Sequence, residues 1–520
     1  MPRSSELKAT PNAVTGANAT DVVSDGHAAS DTFFRPTTVR LKERSVRGGG
    51  IAVLAQGLTF IVQAGSTILL ARLLSPEDFG LQGMVVAMTG ILALFRDPGL
   101  SVATVQRQGL THEEMSTMFW INAAVGALLA IIVAALGPFM VAFYKEPRLF
   151  AITMASASGF FFYGLAIQHR ALLNRALRFV AMAKINVLVL AGSAFIAVSM
   201  AAMGFGYWAL VGMTVSHPML TAAAVWMAMP WVPGRPTWKS GVRSMLHIGG
   251  TVTLTSLVVY LAYNVEKILL GRFWGAEALG LYGRAYQIAH MPVDQLNSSL
   301  SAVAVPSLAR LQGDGERLAR FFLKAYSVVV SVTIPVTLGC ALFPEEIVRI
   351  LLGPKWPTAA AVLRLLAPTV LGFALITPIG WFLQATGRVG RGLQIALLIA
   401  PVVVLGIVAG LRHGPTGVAL GYSTAMIVLV IPVVAWAVRG TEITAGAYWE
   451  SIKRPLGAGV LAGAAGALFK FLVHDSLAPI PLLGIGLTLS LGLYAWIFLE
   501  LFGERAFYLY LLRQAVQRHG

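Results

Sequence analysis

Arg96 and Asp97 stand side by side in "LFRDPGL" (94–100), at the end of a run uncharged from Phe79 to Phe95, and Pro98 and Gly99 follow at once. A charged pair next to a helix breaker has two readings in an apolar setting. Either it is a packed ion pair bracing a kink, or Arg96 is a cationic contact inside a cavity. An Arg or Asp at the centre of a membrane helix costs about 2.5–3.5 kcal/mol even on the lenient insertion scale, so such residues face protein or water. Backbone freed by a helix break is tolerated at membrane depth only in the same surroundings.

Further charges within apolar segments cluster between 266 and 294, namely Glu266, Lys267, Arg284, His290 and Asp294, and at helical spacing Gln287, Met291, Asp294 and Ser298 share one face. Gln56, Gln63 and Thr67 form a second polar stripe. Two hundred residues later Ser256, Tyr263 and Lys267 occupy the corresponding positions, joined by Tyr260 and Asn264. Such stripes serve either as hydrogen-bonding glue between helices or as the lining of a hydrated cavity. Arg72 and Arg272, also 200 residues apart, fall at helix ends, where they snorkel to the interface or act in gating. Asp97, Glu266 and Asp294 are candidates for coupling to H⁺ or Na⁺, or structural partners of Arg96, Lys267 and Arg284. No nucleophile with a base, nucleotide-binding loop or metal-ligand spacing is evident, so neither an enzyme, a metal site nor a cofactor is expected. The single Cys340 excludes an internal disulfide.

The elements that must position these residues are membrane helices. Hydrophobic residues make up 57% of the 520, charged residues only 12%, and the mean hydropathy is +0.73. Soluble domains carry about 25% charged residues. Spans of helical length recur, and fourteen are expected: 49–71, 79–105, 115–143, 149–168, 182–203, 206–229, 245–271, 279–306, 321–343, 358–385, 391–411, 415–438, 455–474 and 480–502.

The net charge of +16 points to topology rather than to nucleic acid. Lys and Arg concentrate in "RPTTVRLKERSVR" (35–47), "RALLNRALR" (170–178) and "RLQGDGERLARFFLK" (310–324), all on the side that holds both termini. By the positive-inside rule that side is cytoplasmic. Residues 1–44 are polar and are expected to form a disordered cytoplasmic tail, with 504–520 a second tail.

"ILLARLLSPEDFGLQG" (68–83) and "ILLGRFWGAEALGLYG" (268–283) match at 8 of 16 positions without a gap, and Leu100, Ser101 and Val105 keep the same shift. Six spans separate the copies, so both halves enter the membrane in the same direction. The expected architecture is all-α: two parallel six-helix repeats, 45–230 and 231–440, followed by two additional helices in 441–503. Repeats of this kind are typical of transporters, with the substrate site between them.

The ordered series "ARLLSPEDFGLQGMVVAMTGILALFRDPGLSVATVQR", "STMFWIN", "IQHRALLNRALRF", "GYWALV", "GLYGRAYQIAHMPVDQLNSSLSAVAVPSLARLQ" and "LLGPKW" resembles the Wzx-type polysaccharide transport family of the multidrug/oligosaccharidyl-lipid/polysaccharide (MOP) flippase superfamily. Within it the similarity is to exporters of colanic-acid-like repeat units. The resemblance implies V-shaped lobes like those of the MATE transporters around a central cavity in the bacterial inner membrane. The implied cargo is an undecaprenyl-diphosphate-linked oligosaccharide moved to the periplasmic leaflet for exopolysaccharide or lipopolysaccharide synthesis. Implied partners are membrane lipids, a polysaccharide polymerase, and chain-length and export proteins. For such a cargo Arg96, Lys267 and Arg284 are candidate phosphate contacts, and Gln56, Gln63, Tyr260, Tyr263 and Asn264 candidate sugar contacts. Two alternatives remain: a MATE-type drug or cation antiporter, and a membrane polysaccharide polymerase or ligase.

Overall fold

The computed structural model describes residues 41–97, 100–107, 110–237, 260, 264–473, 476–506 and 508–509. Pro98, Gly99, Ser256 and Tyr263, the segments 1–40 and 510–520, and most of the expected span 245–271 lie outside the described residues. Every described element is a helix, as an apolar solvent requires of backbone that must satisfy its own hydrogen bonds. In chain order they are α1 (Leu41–Leu73), α2 (Pro76–Ala93), α3 (Leu100–Gln106), α4 (His112–Ala135), α5 (Gly137–Tyr144), α6 (Arg148–Arg175), α7 (Phe179–Ala202) and α8 (Trp208–Ala228). There follow α9 (Val265–Arg310), α10 (Gly315–Leu342), α11 (Pro344–Leu351), α12 (Pro357–Ala385), α13 (Val389–Gly410), α14 (Gly414–Val438), α15 (Ala445–Val473) and α16 (Pro479–Trp496).

Ten segments of the described residues are long and apolar enough to cross a membrane, one of them running through both α13 and α14. The chain is a multi-pass membrane protein. Several helix limits differ from those expected. The second span does not run unbroken to 105: α2 stops at Ala93, the chain turns through Leu94–Asp97, and α3 restarts at Leu100. Asp97 caps the restart by accepting from the Ser101 hydroxyl and, at 3.3 Å, from the Ser101 amide. The third span is divided at Leu136, where Gly137 and Pro138 open α5.

The turns at 75 and 275 are built differently at corresponding positions. Ser75 caps α2 in a capping box with Asp78, which ends α1 cleanly. Gly275 bends α9 at φ 79°, a left-handed conformation that glycine adopts without a Cβ penalty.

α2 and α9 cross with their backbones touching. A Cβ on Gly80 would lie 1.6 Å from the Ala276 carbonyl oxygen, and one on Gly280 would lie 1.8 Å from that of Pro76. Each pair is the other moved by 200 residues, so the contact is reciprocal. Small residues are what permit such approach between membrane helices.

Beyond α8 the chain stays bound to α4. Trp231 donates to His112 Nδ1 at 3.1 Å, the Gly234 amide to Ser116 Oγ at 2.9 Å, and the Thr237 amide to Thr117 Oγ1 at 3.0 Å. α15 and α16 pack against α10, where Tyr494 donates to the Ser331 carbonyl at 2.9 Å.

Candidate functional site

Four helices line an open cavity of about 630 Å³. α1 contributes Gln63, Ser66 and Thr67, α2 Phe79, Gln82 and Gly83, α8 Met213 and Thr214, and α9 the stretch from Lys267 to Gln295, with Asn264 just ahead of it. The polar stripe of α1 is therefore divided. Gln63 and Thr67 face the cavity, whereas Gln56 lines an adjoining groove of about 430 Å³ with Phe60, Pro292 and Ser299. Gln295 borders both spaces, so groove and cavity adjoin between α1 and α9.

The cavity carries two cations, each without a close carboxylate hydrogen bond among the described residues. Lys267 Nζ donates to Asn264 Oδ1 at 2.7 Å and lies 5.3 Å from the Tyr286 ring centroid. Arg284 lays its guanidinium over Phe79, 4.3 Å from the ring centroid, and its buried Nε has no hydrogen-bond partner among the described residues. Tyr286 stacks on His290, whose Nε2 is likewise buried without a partner. Gln287, Met291 and Asp294 line the wall on the face that their spacing implies. Cations over ring faces beside amide groups form a surface suited to a polar anionic ligand; ring attraction holds Arg284 in place without neutralising it, whereas Lys267 is offset in part by Glu266, 4.0 Å from its Nζ.

The remaining sequence candidates fall elsewhere. Arg96 is outside this lining, with its guanidinium 4.0 Å from the Phe160 ring centroid and 5.2 Å from that of Tyr163. Tyr260 donates to the carbonyls of Val86 and Ala87 at 3.3 and 3.0 Å, fastening its segment to α2, while its own carbonyl accepts from Asn264. Glu266 is fully buried behind Lys267, 4.0 Å from its Nζ, and neither carboxylate oxygen accepts a hydrogen bond among the described residues. Arg272 lies 5.7 Å from the Phe143 ring centroid. Arg72 donates to the Ile350 carbonyl at 2.6 Å.

This last contact belongs to a set that closes one end of the cavity. Lys355 donates to the Leu73 carbonyl at 3.3 Å and Trp356 to that of Ala71 at 2.9 Å, satisfying carbonyls left open at the end of α1. Sequence reading named "LLGPKW" without assigning it a role. It also passed over Phe79, Gln82 and Thr214, because an apolar ring and isolated polar residues on two helices carry no periodic signal of their own. Gln82 donates to Thr214 Oγ1 at 2.8 Å.

Residues 69–361 match the family model described as polysaccharide biosynthesis protein. The chain is 27% identical over 397 residues to the lipopolysaccharide biosynthesis protein WzxC of Escherichia coli (strain K12), covering 75% of this chain and 80% of that one. It is 26% identical over 336 residues to the teichuronic acid biosynthesis protein TuaB of Bacillus subtilis (strain 168), covering 63% and 68%. Its fold is similar to that of a solved lipid II flippase MurJ in an inward closed conformation, at 14% identity and a TM-score of 0.67 over 88% of this chain and 99% of that one. The chain belongs to the polysaccharide biosynthesis protein family.

Proposed function

We propose that the protein is a flippase that carries polyprenyl-diphosphate-linked oligosaccharide repeat units from the cytoplasmic to the periplasmic leaflet of the bacterial inner membrane. The observation that carries this reading is the cavity itself: Lys267 and Arg284 among amides and aromatic rings, adjoining a groove that contains Phe60 and Pro292. A diphosphate would meet the two cations, the sugars would meet Gln63, Asn264, Tyr286 and Gln287, and the polyprenyl tail would trail through the groove into lipid. The names of the relatives in lipopolysaccharide and teichuronic acid biosynthesis, and the lipid II flippase of similar fold, favour this cargo class.

The two-lobe arrangement follows from the same reading. The reciprocal contact of Gly80 and Gly280 supports two parallel six-helix repeats related by an axis along the membrane normal, with α15 and α16 appended. The basic clusters support cytoplasmic termini. With that orientation the end bridged by Trp356, Lys355 and Arg72 is the periplasmic one. An inside-negative potential favours outward movement of a partly neutralised diphosphate, by about 2.3 kcal/mol per charge per 100 mV.

The test is deletion of the gene in its host, followed by measurement of surface polysaccharide and of lipid-linked oligosaccharide in each leaflet. Loss of polymer with intermediates held on the cytoplasmic side, reversed by the wild-type gene but not by stably inserted Lys267→Met or Arg284→Met, is expected. Normal polymer with altered sensitivity to cationic drugs would replace this reading with an antiporter.

A further inference from the structure

Phe79 is gripped from two sides by residues distant from it in sequence. On the cavity side the Arg284 guanidinium lies over its ring at 4.3 Å. Away from the cavity the Trp356 indole meets it edge-on, with centroids 5.5 Å apart at 62°. Trp356 is fully buried, and its indole N–H donates to the Ala71 carbonyl at the end of α1. The four groups form one packed file from the cavity to the closed end. Arg284 and Trp356 come from the part of the chain after residue 264, and Phe79 and Ala71 from the part before 94.

From this file we infer that Phe79 and Trp356 relay occupancy of the cavity to its closed end. An anion that draws the Arg284 guanidinium toward itself takes it off the Phe79 ring, loosens Phe79 against Trp356, and weakens the indole bond to Ala71. The inference rests on the proposed anionic cargo for its trigger, but not for the lock. Phe79 and Trp356 are positioning residues, since neither needs to touch the cargo. The relay gives a ligand the differential interaction with closed and open states that any ligand-driven transition requires. Trp356 suits the task because its single donor has one acceptor in the closed state and would have to exchange it on opening.

The test uses the full chain in lipid nanodiscs, with Cys340 replaced by alanine and spin labels at Phe205→Cys and Arg412→Cys. Both sites are exposed and lie near the closed end, Gly206 close to Asp78 and Leu411 bonded to Trp274. Without ligand, Phe79→Leu and Trp356→Phe are expected to raise the long-distance population roughly two- to fivefold, the scale of one exposed cation–π contact or one hydrogen bond. Phe79→Tyr, which keeps the ring face, is expected to stay closed. Undecaprenyl diphosphate is expected to lengthen the distance in the parent protein, undecaprenol to leave it unchanged, and Phe79→Leu to bind the diphosphate with no further change. If Phe79→Leu and Trp356→Phe keep both the closed distance and the full response, the relay is overturned. It is equally overturned if the parent binds the diphosphate and does not move. If the diphosphate fails to bind while both variants open, the cargo reading falls and the lock stands; inorganic pyrophosphate then tests the trigger, which is overturned if it leaves the distance unchanged.

Discussion

Glu266 and Lys267 are consecutive residues whose charged atoms lie 4.0 Å apart, yet Glu266 is fully buried and Lys267 borders the cavity. The carboxylate accepts no hydrogen bond among the described residues, so the neighbouring ammonium is its principal compensation. Lys267→Met would leave that charge buried alone, and is expected to destabilise the protein by about 1–3 kcal/mol, below the range for fully buried pairs because Lys267 is partly solvated. Adding Glu266→Gln should recover most of the loss without restoring transport. Thermal unfolding of the single and double variants in detergent checks this. Recovery of transport in the double variant would show that Lys267 serves only Glu266.

Arg284 presents the opposite case, a cavity cation held by a ring face instead of by a carboxylate. Arg284→Met is expected to lower the flipping rate by about 10- to 100-fold, the worth of a charge-assisted hydrogen bond, and to cost about 0.5–2 kcal/mol of stability through the lost contact with Phe79. Arg284→Lys should restore part of the rate, since it keeps the charge but not the planar fork. The measurement is accumulation of lipid-linked oligosaccharide in inverted vesicles. Equal loss with lysine and methionine would assign the role to shape instead of charge.

Arg96 packs over Phe160 away from the cavity lining. Arg96→Met is therefore expected to cost about 0.5–2 kcal/mol of stability through the lost cation–π contact, and Phe160→Leu to behave alike. Transport by Arg96→Met should stay within about threefold of wild type, a difference below 1 kcal/mol in barrier. A loss of transport at unchanged stability would return Arg96 to the cargo path.

Gly80→Ala places a methyl group where the Ala276 carbonyl oxygen already lies, 1.6 Å away. Two rigid backbones have to separate, so a cost of about 1–3 kcal/mol and partial opening of the closed end are expected. At Gly83 the nearest atom is the flexible end of Leu279 at 3.4 Å, so Gly83→Ala should be nearly neutral. Melting temperatures of the two variants decide the point. Equal effects would mean that α2 and α9 do not touch as described.

At the closed end Lys470 joins α15 to α11 through Glu345 and Glu346, both at 3.0 Å. Partial burial works against the Glu345 charge, but the hydrogen bond from Lys470, the backbone, and the charges of Lys470 and Arg364 outweigh it and hold the carboxyl below its ordinary range. A carboxylate so depressed contributes stability above its unfolded value of about 4.3, and that stability is lost as pH falls through the folded value. The stability advantage of wild type over Lys470→Met should be full at pH 7 and shrink below about pH 4. Melting curves from pH 7 to 3.5 check it. An advantage that grows on acidification would reverse the assignment.

The sequence by itself determined the solvent, the element type and much of the cavity. An apolar chain with few charges must form membrane helices, and period 3.6 then fixes which residues share a face. This is why Gln63 and Thr67, and again Gln287, Met291 and Asp294, line one space as their spacing implies. The repeat of "ILLARLLSPEDFGLQG" likewise marked the pair of segments that meet at Gly80 and Gly280.

Tertiary structure alone decided which charges reach that space. Adjacent residues on a helix point about 100° apart, so the packing of α9 buries Glu266 while Lys267 borders the cavity. The turn at Leu94–Asp97 sends Arg96 to α6, a direction that no spacing encodes. Arg284, Phe79, Trp356 and Ala71 come from four separate stretches, and periodicity reports only on neighbours within one helix. Their file from cavity to closed end exists only because α2 and α9 cross at two glycines and the segment after α11 folds back onto the end of α1.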